Sequence, residues 1–224
     1  MSTLILLRHG QSMWNAHGRF TGWVDVPLSR DGIDEAIAAG DELADHSIDI
    51  VYMSGLMRAQ QTAMIALAEY DHNRVPIVVH EDDALAAWSG IHDDEASRAS
   101  IPCYVDQRLN ERCYGDLQGL KKEAVAQEYG AEQCHVWRRS FDVPPPGGED
   151  LKATAERVIP CLMDTIVPAL MAGRNCLVVA HGNSLRAMVM AMEGLSQSEV
   201  LGLEIPTGQP RVYEYSDEGV FTPL

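Results

Sequence analysis

The sequence has little of what would place a protein in a membrane, in a disulfide-rich class or on a nucleic acid. No apolar run among the 224 residues approaches the ~20 that a membrane-spanning helix needs, and the apolar stretch at residues 4–7 is too short for a signal peptide. The five cysteines are odd in number and none has C-x-x-C spacing, so neither a disulfide framework nor a zinc site is indicated. We therefore expect a globular protein with a cytoplasmic location.

Lysine is scarce, and acidic residues outnumber basic ones. Lys121, Lys122 and Lys152 are the three lysines among 17 basic residues, so the other fourteen are arginines, and 33 acidic residues bring the formal net charge to −16. A surface of that charge repels nucleic acid and anionic membranes, and we expect neither as a partner. Several arginines fall inside the motifs described below, which favours an anion pocket over scattered surface ion pairs.

Short apolar strands alternate with helices along the chain. The patterns predict strands at residues 3–7, 48–53, 75–80, 176–180 and, as the last one, 211–215. This alternation predicts an α/β fold of three layers, with a mainly parallel sheet flanked by helices, in a single domain of residues 1–224. Residues 82–107 are polar and acidic without a clear period, and we interpret them as an inserted loop with room for a short helix.

Two of the predicted strands end in the same way, in a histidine followed by a glycine. The first runs into Arg8 and His9, and the strand at 176–180 runs into His181. If these strands are parallel neighbours, both histidines lie at the sheet edge where α/β proteins bind ligands. One such histidine would more often be structural, but two are hard to attribute to chance. A neutral imidazole is a good nucleophile toward phosphorus, and arginine side chains bind phosphate oxygens bidentately.

Other charged positions have plain structural explanations when each is taken alone. Arg58 lies near a helix start and could reach the same edge, but by itself it is better explained as a surface helix cation. Arg138 and Arg139 could form a solvated helix face, and Glu111 could be half of a surface ion pair.

Seven motifs in order along the chain carry a resemblance to a known family. The stretch RHGQSMWN, from residue 8, resembles the signature of the histidine phosphatase superfamily, and FTGWVDVPLS, from residue 20, resembles its phosphoglycerate mutase branch. The others are LNERCYG from residue 109, LQGL from 117, WRRSF from 137, AHGNSLRA from 180 and IPTG from 205. The chain is accordingly similar to cofactor-dependent phosphoglycerate mutases from residue 3 to residue 215.

The resemblance implies a role for each matching residue. His9 would be the phosphorylated nucleophile, and Glu111 would be the general acid and base. The groups around the transferred phosphoryl group would be Arg8, Arg58 and His181, assisted by Ser12, Asn15, Gly182 and Asn183. The substrate carboxylate and second phosphate would be held by Thr21, Gly22, Tyr114, Lys122, Arg138 and Arg139.

The reaction that this resemblance implies is the interconversion of 3-phosphoglycerate and 2-phosphoglycerate, primed by 2,3-bisphosphoglycerate and without a metal. Its partners would be these small phosphoglycerates, and a homo-oligomer is an open expectation. A phosphatase of the same superfamily acting on a small phosphorylated metabolite is the main alternative. A catalytically inactive module that binds a phosphorylated ligand is another.

The sequence also departs from the family pattern at several places. Residues 82–107 lengthen the approach to the Glu111 motif, the connection after residue 146 is short, and the usual basic C-terminal tail is missing. One hypothesis is that residues 82–107 act as part of a mobile lid over the substrate entrance, in place of that tail. The alternative is a surface excursion that serves oligomer contacts or has no role. The family's Gly-Leu-Asn-Lys reads Gly-Leu-Lys-Lys at 119–122, so either Lys121 or Lys122 could contact the substrate.

Overall fold

The computed structural model describes residues 1–70, 73–80, 83–88 and 93–224 of the chain. In this part of the chain, seven strands form one sheet: β1 (Ser2–Arg8), β2 (Ile50–Met53), β3 (Val75–Val79), β4 (Ser100–Val105), β5 (Cys176–Ala180), β6 (Pro210–Tyr215) and β7 (Phe221–Pro223). Their order across the sheet is β3-β4-β2-β5-β1-β6-β7. Neighbours from β3 to β1 pair in parallel, whereas β6 and β7 are antiparallel additions at one edge. The prediction of a mainly parallel sheet is confirmed.

Helices flank the sheet and connect its strands. The first six are α1 (Met13–Ala16), α2 (Arg30–Leu43), α3 (Met57–Glu69), α4 (Asp83–Trp88), α5 (Asp94–Arg98) and α6 (Lys122–Tyr129). The others are α7 (Ala131–Arg139), α8 (Leu151–Cys161), α9 (Val167–Met171), α10 (Gly182–Glu193) and α11 (Gln197–Gly202). A π-helical turn, Leu162–Ile166, joins α8 to α9 between the two prolines of this segment. No helix of the described residues is long and apolar enough to cross a membrane.

The apolar side chains of the strands are divided between two cores, one on each face of the sheet. Leu4 and Leu6 of β1 pack on one face with α8, α9 and α10, whereas Ile5 and Leu7 pack on the other with α2 and α3. Successive strand residues point to opposite faces, so a continuous apolar strand such as β1 needs cover on both sides. The expected three-layer arrangement is confirmed. A separate small cluster of buried side chains comprises Phe20, Leu117, Val125, Cys134 and Trp137.

The interpretation of residues 82–107 as an inserted loop is wrong. This segment supplies α4, α5 and the inner strand β4, which lies between β3 and β2. The interpretation rested on the polar and acidic residues of the segment and on its lack of a clear period, and these did not reveal the strand. Ile101 and Cys103 of β4 are nevertheless fully buried. Residue 82 and residues 89–92 of the expected lid lie outside the described residues.

The same segment has a positioning role in the fold. From the end of β4 the chain passes through a 3₁₀ turn, Gln107–Leu109, and delivers Asn110 and Glu111 to the carboxyl edge of the sheet. A further correction concerns the strand predicted to be the last, because β7 follows β6 and pairs with it.

Candidate active site

His9 and His181 meet at the carboxyl edge of the sheet, where β1 and β5 end side by side. Leu7 pairs with Val179 in the parallel ladder, and the His9 amide donates to the Ala180 carbonyl at 3.0 Å. The two imidazole rings lie edge to face, with centroids 4.8 Å apart. The predicted juxtaposition of the two histidines is therefore what the structure shows.

The hydrogen bonds of His9 determine which of its ring nitrogens is free. Nδ1 lies 2.6 Å from the Gly10 carbonyl oxygen, which can only accept, so Nδ1 carries the proton and Nε2 keeps its lone pair. Burial, and then the positive charges of Arg58 and Arg8, hold the pKa of His9 well below its usual range. The ring is therefore neutral near pH 7 and has an unprotonated nitrogen available as a nucleophile.

The backbone next to His9 packs closely against helices α2 and α3. A Cβ on Gly10 would overlap the carbonyl group of Gly32 in α2, so no larger residue fits there without a shift. The Gly10 amide donates to Oγ1 of Thr62, whose hydroxyl donates in turn to the Arg58 carbonyl at 2.7 Å. This chain of contacts couples the backbone at His9 to helix α3.

The ring of His181 is held by Ser54, which directly follows strand β2. Its Nε2 is 2.8 Å from Oγ of Ser54, and Ser54 donates its own hydroxyl proton to Oδ1 of Asn110. Nε2 therefore carries the hydrogen of this contact, and the buried Nδ1 has no partner among the described residues. Burial, followed by the charges of Arg58 and the proximity of His9, lowers the pKa of His181 well below its usual range.

Arg58 corrects the interpretation that its sequence position alone supports. It lies in the first turn of α3, but its side chain is only 1% exposed. The guanidinium donates to the Gly22 carbonyl at 2.8 Å and to the Val24 carbonyl at 3.2 Å. Burial lowers its pKa to about 10, so it remains a cation at neutral pH.

The carboxylate of Glu111 contacts the N-terminus of helix α10, which begins directly after His181. Its Oε1 accepts from the Arg112 amide at 2.8 Å, from Nδ2 of Asn183 at 2.9 Å and from the Asn183 amide at 3.2 Å. These donors, two of them from Asn183 in the first turn of α10, hold the oxygen in one position. The carboxylate therefore has a fixed place beside the histidines.

Most of these side chains, though not that of His181, line a solvent-open cleft of about 730 Å³, which is rich in positive charge. Its cations are Arg8, Arg19, Arg58, Lys122, Arg138, Arg139 and Arg186, and its acidic residues are Glu111 and Glu204. His9, Asn15, Phe20, Thr21, Gly22, Tyr114, Gly182 and Asn183 complete the lining. In a chain of net charge −16, seven cations in one cleft define a binding site for an anion with more than one charged group.

The two adjacent lysines differ in their environments. Lys122 lines the cleft, and burial, followed by the charges of Arg138 and Arg8, lowers its pKa. Lys121 is exposed and precedes the first residue of α6. The geometry therefore favours Lys122 as the lysine that reaches a ligand.

Two predicted site residues do not line the cleft: His181, whose contacts are given above, and Ser12. Ser12 is fully buried, its Oγ accepts from the Asn15 amide at 3.1 Å, and its amide donates to Oδ1 of Asn15 at 3.2 Å. This reciprocal pair caps the short helix α1 and orients Asn15, which does line the cleft.

Some residues of the site were given no role by the sequence reasoning. Arg19, Arg186 and Glu204 line the cleft, and the buried Arg112 donates to the Arg138 carbonyl at 2.6 Å and to the Tyr114 hydroxyl at 3.0 Å. Phe20, Arg112 and Arg186 stand inside recognised motifs, so their positions were available in the sequence. Nothing in the sequence pattern marks Glu204.

Several buried polar atoms at the site have hydrogen-bonding capacity to spare. Among the described residues, the buried side-chain atoms without a partner are Nε of Arg8, Oγ1 of Thr21, Nε of Arg112 and Nδ1 of His181. Such atoms are rare in folded proteins, and here they all belong to the cleft or its immediate support. No group of three or more His, Cys, Asp or Glu that could hold a metal ion occurs in the part of the chain that is described.

An unprotonated imidazole in a cleft of arginines is typical of enzymes that transfer a phosphoryl group through histidine. A family model of the histidine phosphatase superfamily (branch 1) matches residues 4–99 and 93–222. The chain is 48% identical over 219 residues to the 2,3-bisphosphoglycerate-dependent phosphoglycerate mutase of Protochlamydia amoebophila (strain UWE25), covering 97% of both chains. It is 48% identical over 213 residues to the enzyme of the same name from Chlamydia caviae, covering 95% of this chain and 93% of the other.

A solved structure gives the same fold. The chain matches a mycobacterial glucosyl-3-phosphoglycerate phosphatase, solved as a complex with VO3, at a TM-score of 0.74 and 25% identity, with 100% of this chain and 97% of the other covered. The chain therefore belongs to the histidine phosphatase superfamily and, within it, to the 2,3-bisphosphoglycerate-dependent phosphoglycerate mutases.

Proposed function

We propose that this enzyme interconverts 3-phosphoglycerate and 2-phosphoglycerate through a phosphohistidine at His9, with 2,3-bisphosphoglycerate as the primer. The observation that carries the proposal is the unprotonated Nε2 of His9, fixed by the Gly10 carbonyl at the base of a cleft lined by cations. Curated relatives at 48% identity carry the mutase name.

In the first half of the reaction, Nε2 of His9 attacks the phosphorus of one phosphate of 2,3-bisphosphoglycerate. The bond between phosphorus and the glycerate oxygen breaks, and that oxygen takes a proton from the carboxyl group of Glu111. Arg8 and Arg58 neutralise the charge on the transferred oxygens, which is the main requirement of phosphoryl transfer. Nδ1 of His181 carries no hydrogen and has no partner, so it can accept a hydrogen bond from a phosphoryl oxygen that carries a proton.

In the second half, a hydroxyl group of the bound monophosphate attacks the phosphorus of phospho-His9. The nitrogen–phosphorus bond breaks, and the Glu111 carboxylate takes the hydroxyl proton, so each cycle restores the carboxyl group. With 3-phosphoglycerate the acceptor is O2 and the product is the bisphosphate. The bisphosphate then reorients and returns its other phosphoryl group to His9, which releases 2-phosphoglycerate.

The remaining cations would hold the groups of the substrate that do not react. Lys122, Arg138 and Arg139 line the cleft together with Tyr114 and the Thr21–Gly22 turn. Gly22 has a φ of +55°, and a Cβ there would overlap Gln118. Backbone at this turn can therefore approach a ligand more closely than a larger residue would allow.

A phosphatase of the same superfamily remains the competing function. The solved relative described above is named a phosphatase, which concerns that protein. The two activities differ in the acceptor of the phosphoryl group, which is water in one case and a bound hydroxyl group in the other. The cations placed to hold a second anionic group favour the bound acceptor.

A coupled assay separates these functions. The enzyme is given 3-phosphoglycerate in excess EDTA, with and without a catalytic amount of 2,3-bisphosphoglycerate. The proposal requires 2-phosphoglycerate to form at full rate with the primer present, and an acid-labile phosphoryl label to appear on His9. A requirement for Mg²⁺ or Mn²⁺, or release of inorganic phosphate as the main product, would contradict it. The expectations of a metal-free reaction, a cytoplasmic location, a homo-oligomer and no nucleic-acid partner stay predictions.

A further inference from the structure

An ion pair from another part of the chain holds the backbone that carries Glu111. Arg157 of α8 donates to the carbonyl oxygens of Arg108 and Asn110, each at 2.8 Å, and to that of Glu111 at 2.9 Å. The same guanidinium makes a bidentate pair with Glu149, at 2.9 and 2.8 Å. All five N–H groups of Arg157 are thus used: three donate to the segment that carries Glu111, and two donate to Glu149.

Glu149 holds the backbone at Cys113, two residues after Glu111. Its Oε2 accepts from the Cys113 amide at 2.9 Å, and its own amide donates to the Cys113 carbonyl at 2.8 Å. Burial acts to raise the pKa of Glu149, but Arg157 and the Cys113 amide outweigh it and hold the pKa below its usual range. The pair is therefore charged on both sides at neutral pH.

Trp23 contacts both this ion pair and the backbone of Glu111. The guanidinium of Arg157 lies 5.4 Å from the centroid of the Trp23 ring, and the indole N–H donates to the Glu111 carbonyl. Glu111 is thus held at both ends, by Arg157 and Trp23 at its carbonyl and by Asn183 at its carboxylate. Residues 108–113 pair with no strand in the described part of the chain, so these hydrogen bonds hold the segment in place of strand pairing.

We propose that Arg157 and Glu149 are positioning residues that set where the Glu111 carboxyl group stands relative to the reacting oxygen. This inference rests on the acid and base role proposed for Glu111. Proton transfer requires hydrogen-bond reach, and a misplacement of about 1 Å can cost about 10²-fold in rate. Neither residue lines the cleft, so the effect acts through the backbone of Glu111.

Arg157→Lys tests the inference, because it keeps the charge but cannot make five directed bonds. Two rates are compared: mutase turnover with 3-phosphoglycerate, and phosphorylation of His9 by p-nitrophenyl phosphate, whose leaving group needs no proton. We expect turnover to fall by about 10- to 100-fold with KM for 3-phosphoglycerate within about twofold, while the rate with p-nitrophenyl phosphate stays within about twofold. Equal losses in both rates, or no loss in either, would overturn the inference.

A matched control and a second variant make the result independent of folding. Arg211 pairs with Glu193 at 2.7 Å away from the cleft, so Arg211→Lys weakens a comparable ion pair and should leave both rates unchanged. Glu149→Gln keeps the shape of the pair and provides the same comparison should Arg157→Lys not fold; its effect should have the same direction and be smaller.

Glu111→Gln, measured in the same two assays, separates the inference from the function on which it rests. Mutase turnover should fall by about 10²- to 10⁴-fold with little change in the rate with p-nitrophenyl phosphate. If Glu111→Gln shows this split and Arg157→Lys does not, the positioning role alone is wrong. If Glu111→Gln shows no split, the acid and base role fails, and the positioning inference fails with it.

Discussion

The two ends of the cleft both carry basic side chains, but they differ in how far those side chains are buried and how firmly they are held. The phosphoryl end consists of Arg8, His9, Arg58 and His181, and the substrate end consists of Lys122, Arg138, Arg139, Arg186 and Glu204. At the phosphoryl end the histidines and Arg58 are no more than 2% exposed. Backbone carbonyls fix His9 and Arg58, and the Ser54 hydroxyl group fixes His181. At the substrate end Arg139 keeps a third of its side-chain surface and Glu204 two thirds. Groups that stabilise a reacting centre are desolvated and fixed, whereas Arg139 and Glu204 of the substrate end stay partly hydrated. Arg186, with 11% of its side chain exposed, is the buried member of that end.

The difference has an electrostatic cause. Desolvation strengthens each interaction made with the transferring phosphoryl group, and fixed groups need no reorganisation when the charge moves. The cations of the substrate end repel one another, and they tolerate this because water and Glu204 screen them. Changes at the phosphoryl end should therefore affect turnover, and changes at the substrate end should affect KM.

The largest effect is expected at His9. His9→Ala should abolish both mutase turnover and the acid-labile label, because no other group in the described cleft offers an unprotonated nitrogen at the same place. Mass spectrometry of enzyme mixed with 2,3-bisphosphoglycerate measures the label. His135→Ala on the exposed face of α7 is the control and should behave as the wild type. Label persisting in the His9 variant would assign the nucleophile elsewhere.

A smaller effect, and one on KM, is expected at Lys122. Lys122→Met removes a partly buried cation from the substrate end, and a hydrogen bond to a charged group contributes about 1.5–3 kcal/mol. We expect KM for 3-phosphoglycerate to rise by about 10- to 100-fold with a minor change in turnover. The neighbouring Lys121→Met serves as the matched control, with KM within about twofold. A reversal of the two results would assign substrate binding to Lys121.

The burial of the histidines should also appear in the pH dependence of stability. His9 and His181 remain neutral in the folded state below the pH at which an unfolded histidine, with a pKa near 6.5, takes a proton. Their contribution to the free energy of unfolding is complete above pH 6.5, and it is lost as the pH falls toward their folded pKa values. Each should account for about 1 kcal/mol of the loss between pH 7 and pH 5.5.

Urea unfolding of His181→Asn at these two pH values measures this contribution. The variant should lose about 1 kcal/mol less than the wild type over the same interval, whatever its absolute stability. His135→Asn, which removes an exposed histidine, should follow the wild type. Parallel losses in the wild type and in His181→Asn would mean that His181 takes up a proton in the folded protein as readily as in the unfolded one.

The phosphoryl end was largely predictable from the sequence, because its geometry follows from two local patterns. Each histidine comes directly after an apolar strand, and parallel strands bring their carboxyl ends to one edge of the sheet. The inner strand β4 was missed because the segment that contains it is polar and acidic without a clear period, as loops are. The local sequence pattern did not predict β4, because pairing with the neighbouring strands β2 and β3 stabilises this strand.

The supporting residues could not be predicted for a related reason. The burial of Arg58 depends on carbonyl groups of Gly22 and Val24, which a different part of the chain brings over α3. Arg157 contacts Glu111 across 46 residues of sequence. Helix periodicity gives the face on which a side chain lies but does not give the partner that the fold places there.

The smallest effect is expected at Glu204, where the comparison between the two ends is sharpest. Its carboxylate lies 2.9 Å from Nη2 of Arg139 and 3.4 Å from Nη2 of Arg186, so it occupies cations that a substrate anion would use. Because the pair is partly exposed, it should contribute only about 0.2–1 kcal/mol. Glu204→Gln should therefore lower KM for 3-phosphoglycerate by about 1.4- to 5-fold without changing turnover, since the substrate no longer displaces a resident carboxylate.

The control for Glu204 must separate local competition from the overall negative charge. Glu42→Gln removes the same charge from an exposed position on α2 and should leave KM unchanged. The gain in Glu204→Gln should also shrink as the salt concentration rises, because salt screens exposed ion pairs. A higher KM in Glu204→Gln would instead mean that this carboxylate orients Arg139 and Arg186 for the substrate. The substrate end would then rely on fixed partners as the phosphoryl end does, and the contrast between the two ends would not hold.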